Sequence, residues 1–416
     1  SAAAVWQPAG EKIRTDWAGQ IDPTCPLAEY PRPQMQRNDW MNLNGMWQYA
    51  ITDRTGEDVN PTDIEQPTSW DGMILVPYPI ESSLSGVGKQ LSDSQYLWYH
   101  RTIQIPRAWR KKHIMLNFGA VDWKAWVYIN GQLAGEHTGG YAPFSIDMTP
   151  YLTEQGEQHI ALRMYDPTDK GYQPVGKQTF NPRSIWYTAV SGIWQTVWME
   201  PVADQYITAV VPIPDIDKQQ MHVRVSTNEE PADEAYIRIK LLEQGTVIAD
   251  VCGKANEDIV VDVETPILWS PESPFLYTLS VSIEQKSFFG KKVTDRVESY
   301  AAMRKISVAK DDKGIVRMQL NNATYFQYGP LDQGWWPDGL YTAPTDEALC
   351  YDVQKTKDLG FNMIRKHVKV EPARWYSHCD RLGMLVWQDM PSGDLGNKWS
   401  NRSYEGGTDR VRTAES

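Results

Sequence analysis

Cysteine is scarce and scattered. The four residues, Cys25, Cys252, Cys350 and Cys379, form no CxxC pair, which excludes a zinc module and a disulfide scaffold and leaves the redox compartment open. No window approaches ~18 uninterrupted apolar residues, so no helical membrane span is expected. Basic charge is in deficit: 41 Lys and Arg against 53 Asp and Glu leave a net charge of −12. That balance argues against nucleic acid or an anionic membrane as partner, and no run of like charge forms a binding tail. HExxH and paired His/Cys ligand spacing are missing, so no metal is signalled and no cofactor is implied. "SGVGKQ" at 85–90 lacks the spacing of a phosphate loop and a helix to follow it. No GxSxG supports a serine hydrolase. The opening "SAAAVWQPAG" lacks the basic and apolar regions of a signal peptide. A leader removed beforehand stays open, and a periplasmic or secreted location is expected over a cytoplasmic one.

Phenylalanine is also rare, at 8 residues, whereas Trp and Tyr number 18 and 21. These two combine a flat apolar face with a hydrogen-bonding edge. That suits stacking on a sugar, whose faces are C–H and whose rim is hydroxyl. Large β-sandwich cores use Trp as well.

Three textures follow one another. Residues 1–36 are irregular and proline-rich, ending in "PLAEYPRPQMQR", and are expected to lie across another domain's surface. Residues 37–203 read as all-β. "WVYINGQLAG" sets a strand before Asn130-Gly131, a hairpin signal because both central residues of the tight turn need positive φ. "QHIALRMYD" and "IWQTVWMEP" alternate as half-buried strands do. Short strands at close intervals predict a jelly-roll sandwich. Residues 204–308 repeat the texture at the scale of an immunoglobulin-like β-sandwich, with strands predicted at "MHVRVS", "YIRIKLLE", "DIVVDVE", "LYTLSVSIE" and "DRVESYAAMRKISV".

From 309 the period changes. "TDEALCYDVQKTKDLG" puts Leu349, Val353, Thr356 and Leu359 on one helical stripe, with Thr345 as N-cap and Gly360 past the end. "EPARWYSHCDRLG" repeats the design with Pro372 near the start and Gly383 as terminator. The mostly apolar "TYFQYG", "FNMIR" and "MLVWQD" are predicted as parallel strands buried on both faces. Strand–helix alternation opens a parallel α/β fold. A flavodoxin-like sheet shares it; the strand ends favour the start of a (β/α)8 barrel, whose site is built from the loops after the strands.

Three such loops bring polar and aromatic residues to one rim. The first carries Asp332, Trp335, Trp336 and Asp338; the second Arg365, Lys366 and His367; the third begins at Gln388 and Asp389. Exposed loop indoles suggest a sugar platform. Loops that start helices are polar in any case, His367 could bond a backbone carbonyl, Lys366 could face the barrel exterior, and Asp389 could cap the next segment.

The order of these motifs resembles glycoside hydrolase family 2, the β-galactosidase, β-glucuronidase and β-mannosidase group. "LNGMWQY", "ILVPYPIESSLSGV", "LWYHRTIQIP" and "VYINGQLAGEHTGGYAPFSIDMT" resemble the family's sugar-binding jelly roll, and "VSGIWQTVWMEP" its exit. "LWSPESPFLYTLSV" with "RVESYAAMRKI" is similar to the central immunoglobulin-like module, and "FNMIRKHV" to the Asn-x-x-Arg signature of the second barrel strand. The resemblance makes Asn362 and Arg365 signature residues, with Arg365 close to the nucleophilic carboxylate. Two positions depart from it. Relatives place His three residues after the Arg, where Val368 stands here and His367 comes early. Many also have an Asp where this chain has Trp186.

Retaining glycosidases, as the family is, need an acid/base and a nucleophile about 5–5.5 Å apart. The resemblance places the first after an Asn near the fourth barrel strand and the second near the seventh, both beyond Ser416. Asn228-Glu229 and Asn256-Glu257 fall in the 204–308 segment and cannot serve. No catalytic carboxylate is therefore assigned within 1–416. The expectation is the N-terminal portion of a retaining exo-β-glycosidase, ending inside an incomplete barrel and inactive alone. A terminal β-galactoside is favoured as substrate because that activity is common in the family. A non-catalytic carbohydrate-binding protein is the alternative, and homo-oligomers stay open.

Overall fold

The computed structural model describes residues 5–54, 64–171 and 173–393. The expectations attached to "SAAA" and to the chain beyond 393 lie outside the described residues.

Period-two alternation between 41 and 202 builds two facing antiparallel sheets. One orders six strands as Gly72–Val76, Gly45–Asp53, Gln95–Ile103, Gln158–Tyr165, Lys124–Ile129 and Gln132–Thr138. The other orders four: Met41–Asn42, Val197–Val202, His113–Phe118 and Phe144–Asp147. Trp47, Leu97, Val127 and Leu162 from the first sheet meet Leu116, Phe118, Val197 and Met199 from the second in one continuous core. Each buried aliphatic side chain there contributes roughly 1.5–3 kcal/mol. The hairpin at Asn130-Gly131 has both turn residues at positive φ, 49° and 81°, the conformation that brought Asn and Gly there.

A second pair of sheets covers 207–301. Three strands (Ile207–Asp215, Gln220–Thr227, Asp258–Asp262) face four (Thr246–Gly253, Ala235–Glu243, Tyr277–Ser287, Gly290–Ala301) across a core that includes Val223, Ile239, Leu279 and Val297. A small antiparallel sheet follows, from Ile306–Lys310, Val316–Leu320 and Ala323–Thr324. It straddles position 308, and no reading of the sequence anticipated it.

Beyond it the sheet turns parallel, with strands Leu331–Asp332, Met363–Lys366 and Leu385–Gln388 in that order. The first is displaced from the expected "TYFQYG", whose Thr324 belongs to the antiparallel sheet and whose Tyr328 is joined to the next strand by Asn362 N→Tyr328 O, 3.0 Å. Two α-helices occur among the described residues: α1 (Asp346–Asp358) and α2 (Ala373–Leu382). Thr345 caps α1 by accepting from Ala348 N at 3.1 Å, and Gly383 ends α2 at φ 88°. Ala348, Leu349, Val353, Trp375 and Cys379 pack on Ile364 as one core. Leu359, expected on that stripe, is 66% exposed: it follows the last helical turn and is carried past the packing face. The other sheet face, through Met363 and Leu385, packs on Trp269 and Ala302 of the second pair of sheets. The described chain is thus mostly β, with no closed barrel.

The proline-rich start holds the parts together. Arg32 and Tyr30 bond Glu200, and Asn117 donates to the same carboxylate at 3.0 Å. Arg37 pairs with Asp295 at 2.8 Å, and Gln34 donates to Ala373 O at 2.8 Å. One strap therefore touches both sandwiches and the α/β layer.

Candidate functional site

Parallel register sets Asp332 beside Lys366, and Arg365 and Lys366 beside Trp387 and Gln388. Consecutive strand residues point to opposite faces, so Arg365 and Lys366 part. Arg365 stays exposed and forms a bidentate pair with Asp389, Nε to Oδ1 and Nη2 to Oδ2 at 3.1 Å each. His367 Nε2 lies 4.0 Å from Asp389 Oδ2. Its Nδ1 is 3.3 Å from Gln333 Nε2, and Tyr187 donates its hydroxyl to Gln333 Oε1 at 2.5 Å. A donating amide makes Nδ1 the acceptor and leaves the ring proton on Nε2, toward Asp389. Burial depresses the His367 pKa, with Lys177 and Arg365 adding to it against Asp389, so the ring is neutral at pH 7.

The remaining expected rim residues divide. Trp335 is half-buried, its ring 5.1 Å from Tyr187 and 4.6 Å from Tyr341. Asp332 Oδ2 is 3.0 Å from Lys366 Nζ, and Oδ1 accepts from Gly334 N at 2.8 Å. Burial pushes its carboxyl up, but Lys366 and the Gly334 amide outweigh it and hold it below the usual range, so it stays ionised. Three residues turn away. Lys366 is 1% exposed, lies between Asp332 and Glu371, and covers the Trp375 ring at 4.3 Å. Trp336 packs edge-on against Trp17 in the helical core. Asp338 is fully buried and accepts from Thr15 N and Oγ1, both at 2.8 Å. The two adjacent indoles are thus no paired platform, because neighbours in an extended loop face opposite ways.

The fourth wall was signalled only at position 186, where relatives carry an Asp; Tyr187 and Lys177 were missed from sequence. The loop 166–191 leaves the first sandwich and reaches the strand ends: Val175 N and Gly176 N donate to Ser392 O at 2.8 Å. It brings Tyr187, Trp186 (39% exposed) and Lys177, whose ammonium lies 5.0 Å over the Trp186 ring. An open groove of about 600 Å³ runs from Tyr187 and Trp335 toward α1. The position of Tyr187 just ahead of the "SGIW" motif was the available signal. Lys369 was also missed. It is 1% exposed, pairs with Glu371, and donates to Gly334 O at 2.6 Å and Tyr341 O at 2.9 Å, so it clamps the loop that carries Trp335. Asn362 is a staple: it accepts from Tyr328 N at 2.8 Å and donates to Phe326 O at 2.9 Å. Charged donors beside a half-buried indole can orient a hydroxylated ring. No group of His, Cys, Asp or Glu among the described residues is placed to hold a metal, and no helix among them is long and apolar enough to cross a membrane.

The family model described as "Glycosyl hydrolases family 2, sugar binding domain" matches residues 40–200, and "Glycosyl hydrolases family 2" matches 205–304. A "Putative beta-glucuronidase" of Formosa agariphila is 26% identical over 377 residues, 86% of this chain and 42% of that protein. A "Beta-galactosidase" of Thermoanaerobacter pseudethanolicus is 26% identical over 384 residues, 88% of this chain and 49% of its own length. A solved β-glucuronidase of Ruminococcus gnavus superposes with a TM-score of 0.73 at 18% identity, over 94% of this chain and 64% of that one. The chain spans less than half the length of these two relatives.

Proposed function

The chain belongs to glycoside hydrolase family 2, and from that premise we propose that it forms the sugar-binding jelly roll, the immunoglobulin-like spacer and the first three strands of the (β/α)8 barrel of a retaining exo-β-glycosidase. The observation that carries this reading is the bidentate Arg365–Asp389 pair across two neighbouring parallel strand ends, with the sandwich residue Tyr187 closing over them through Gln333. The 3 + 4 strand arrangement of 207–301 supports the immunoglobulin-like part.

In this reading the rim binds and orients the terminal sugar. Arg365 and the Nε2 proton of His367 donate toward ring hydroxyls, Asp389 accepts, and Trp335 offers an apolar face. The acid/base and nucleophile of the retaining reaction come from elsewhere, so residues 1–416 alone bind sugar without cleaving it. A terminal β-galactoside is the substrate first expected. Lys177 favours a second, a β-glucuronide, because its ammonium reaches the same rim and suits a sugar carboxylate.

Hydrolysis of 4-nitrophenyl β-galactoside and β-glucuronide by the longest form of the protein tests the proposal. Turnover with retained anomeric configuration, absent from the 416-residue chain, is the expected result. Glycan binding without turnover by that longest form would replace it with a carbohydrate-binding role.

A further inference from the structure

Two of the chain's 8 Phe stand at the tip of one hairpin. Gly290–Ala301 turns back on Tyr277–Ser287, and between them Phe288 and Phe289 are 95% and 96% exposed, the highest values among the large apolar residues described. Apolar side chains left wholly in water side by side mark an interaction site. The rings meet edge-on, centroids 5.2 Å apart and planes at 80°, so they form no flat platform on which a sugar chain could stack. Cations flank them. Lys286 stands directly opposite Lys291, and Lys292 opposite Gln285. Like charges facing each other across a ladder oppose its pairing, so these lysines do not serve the sheet. Asp250 and Glu284, carboxylates of the same sheet, hold Arg238, and among the described residues none of the three lysines stands in an ion pair. Asp250 feels Lys291 only as a charge at longer range. Asp233 and Glu234 precede Ala235, where the neighbouring strand first meets the hairpin at Gln285.

Two apolar rings backed by three cations fit a surface that is both apolar and anionic. Two copies meeting tip to tip would set three lysines against three, which disfavours a second copy as the occupant. The net charge of −12 argues against an anionic membrane for the chain as a whole, but charge is screened over about 8 Å at physiological ionic strength, so the tip presents its own local sign. We propose that the 286–292 hairpin tip docks the protein on an anionic lipid surface. Phe288 and Phe289 enter between the headgroups, and Lys286, Lys291 and Lys292 bond the lipid phosphates. Apolar insertion and basic charge together supply the two signals that stable peripheral anchoring takes. The proposal is independent of which sugar the rim takes.

Co-sedimentation of the whole 416-residue chain with lipid vesicles tests it. Binding is expected to vesicles of phosphatidylcholine mixed with phosphatidylglycerol, and at least about tenfold weaker to phosphatidylcholine alone. It should weaken in about 1 M salt, where screening acts within about 3 Å. Phe288→Ser with Phe289→Ser should weaken binding to the mixture at least about tenfold for each ring removed. Lys286→Gln, Lys291→Gln and Lys292→Gln together should weaken it about fivefold for each charge and leave binding to phosphatidylcholine alone unchanged. All five side chains are exposed, so thermal unfolding of the variants should match that of the unaltered chain. Slowed hydrogen exchange across 286–292 in the unaltered chain on mixed vesicles locates the contact without any variant. Lack of co-sedimentation, binding undiminished without the two rings, or exchange unchanged at 286–292 would each overturn the proposal. Protection of the tip by polygalacturonate but not by vesicles would assign it to an acidic polysaccharide instead. Self-association that the Phe variant abolishes, with no vesicle binding, would assign it to a second copy.

Discussion

Replacing Glu81 with Gln should remove much of a loss of stability that builds up as pH rises from about 5 to about 8. Glu81 is buried in the first sandwich, where its Oε1 accepts from Ser191 N at 2.7 Å and its Oε2 has no partner among the described residues. Ser191 Oγ in turn donates to Asp166 at 3.2 Å. Burial pushes the Glu81 carboxyl up to about 8 and the Asp166 carboxyl up to about 7. Because these folded-state values lie above the unfolded ones, folding takes up protons, and stability falls as pH rises from the unfolded value near 4.5 through about 8. A difference of that size corresponds to a penalty of about 5 kcal/mol for Glu81 once fully ionised. Gln keeps the acceptor for Ser191 N and never ionises. Urea unfolding of wild type and Glu81→Gln, from about pH 5 to 9, should give curves that separate steadily up to about pH 8 and run parallel above it, the variant becoming the more stable. A constant difference across that range would refute the buried-carboxyl account. The two residues flank the loop 166–191, so the same titration is expected to loosen Tyr187 and Lys177 over the rim.

Other substitutions separate interior from rim. Lys366→Met leaves Asp332 without its buried cation, Glu371 keeping Lys369, and should cost about 3–5 kcal/mol in urea unfolding; a loss under about 1 kcal/mol would contradict the placement. Asp389→Asn breaks a half-exposed pair and should shift stability by less than about 1 kcal/mol. Sugar binding by the same variant should weaken about tenfold or more, as for a lost charged hydrogen bond, measured by ligand-observed NMR. His113 bonds Asp147 at 3.0 Å and Asp204 at 2.7 Å; burial lowers its pKa, but the two carboxylates outweigh this and leave it raised. Its contribution is present below about pH 6.5 and is lost as pH rises through the raised value. With the side chain 37% exposed, screening limits the effect to about 1 kcal/mol or less. His113→Gln should flatten that step in a pH series of unfolding curves.

Local signals carried much of the architecture. Alternation marked the sandwich strands, Asn130-Gly131 its hairpin, and Thr345 and Gly383 two helix ends, because each is a short-range requirement of backbone geometry. The small sheet 306–324 was not legible: its strands are short and largely exposed, with Val308 and Val316 more than 60% exposed, so no buried face imposes a pattern. The rim was legible as a place but not by residue. Strand-end position brought forward Asp332, Arg365, His367 and Asp389, and it also brought Lys366, Trp336 and Asp338, whose orientation depends on partners distant in sequence. Trp17 and Thr15 decide the last two, and neither can be paired with residue 336 or 338 from spacing alone. Tyr187 and Lys177 lie far from the rim in sequence, and only the place of Tyr187 beside position 186 and the "SGIW" motif pointed to it.

That division has a mechanical consequence. The buried ions Lys366 and Lys369 each hold backbone or carboxylates of the strand-end loops, while the exposed Arg365 and the half-buried Asp389 hold one another, with His367 Nε2 4.0 Å from the same carboxylate. Removing a buried partner leaves an uncompensated charge in a poorly solvated place, and the fold bears the loss. Removing a rim partner leaves a charge that water accepts, so the fold is nearly indifferent and a ligand feels the change. Residues of nearly identical sequence position, 365 and 366, therefore belong to opposite functional classes. A substitution series along Met363–Lys366 should give stability losses at 363, 364 and 366 and a binding loss without a stability loss at 365 alone.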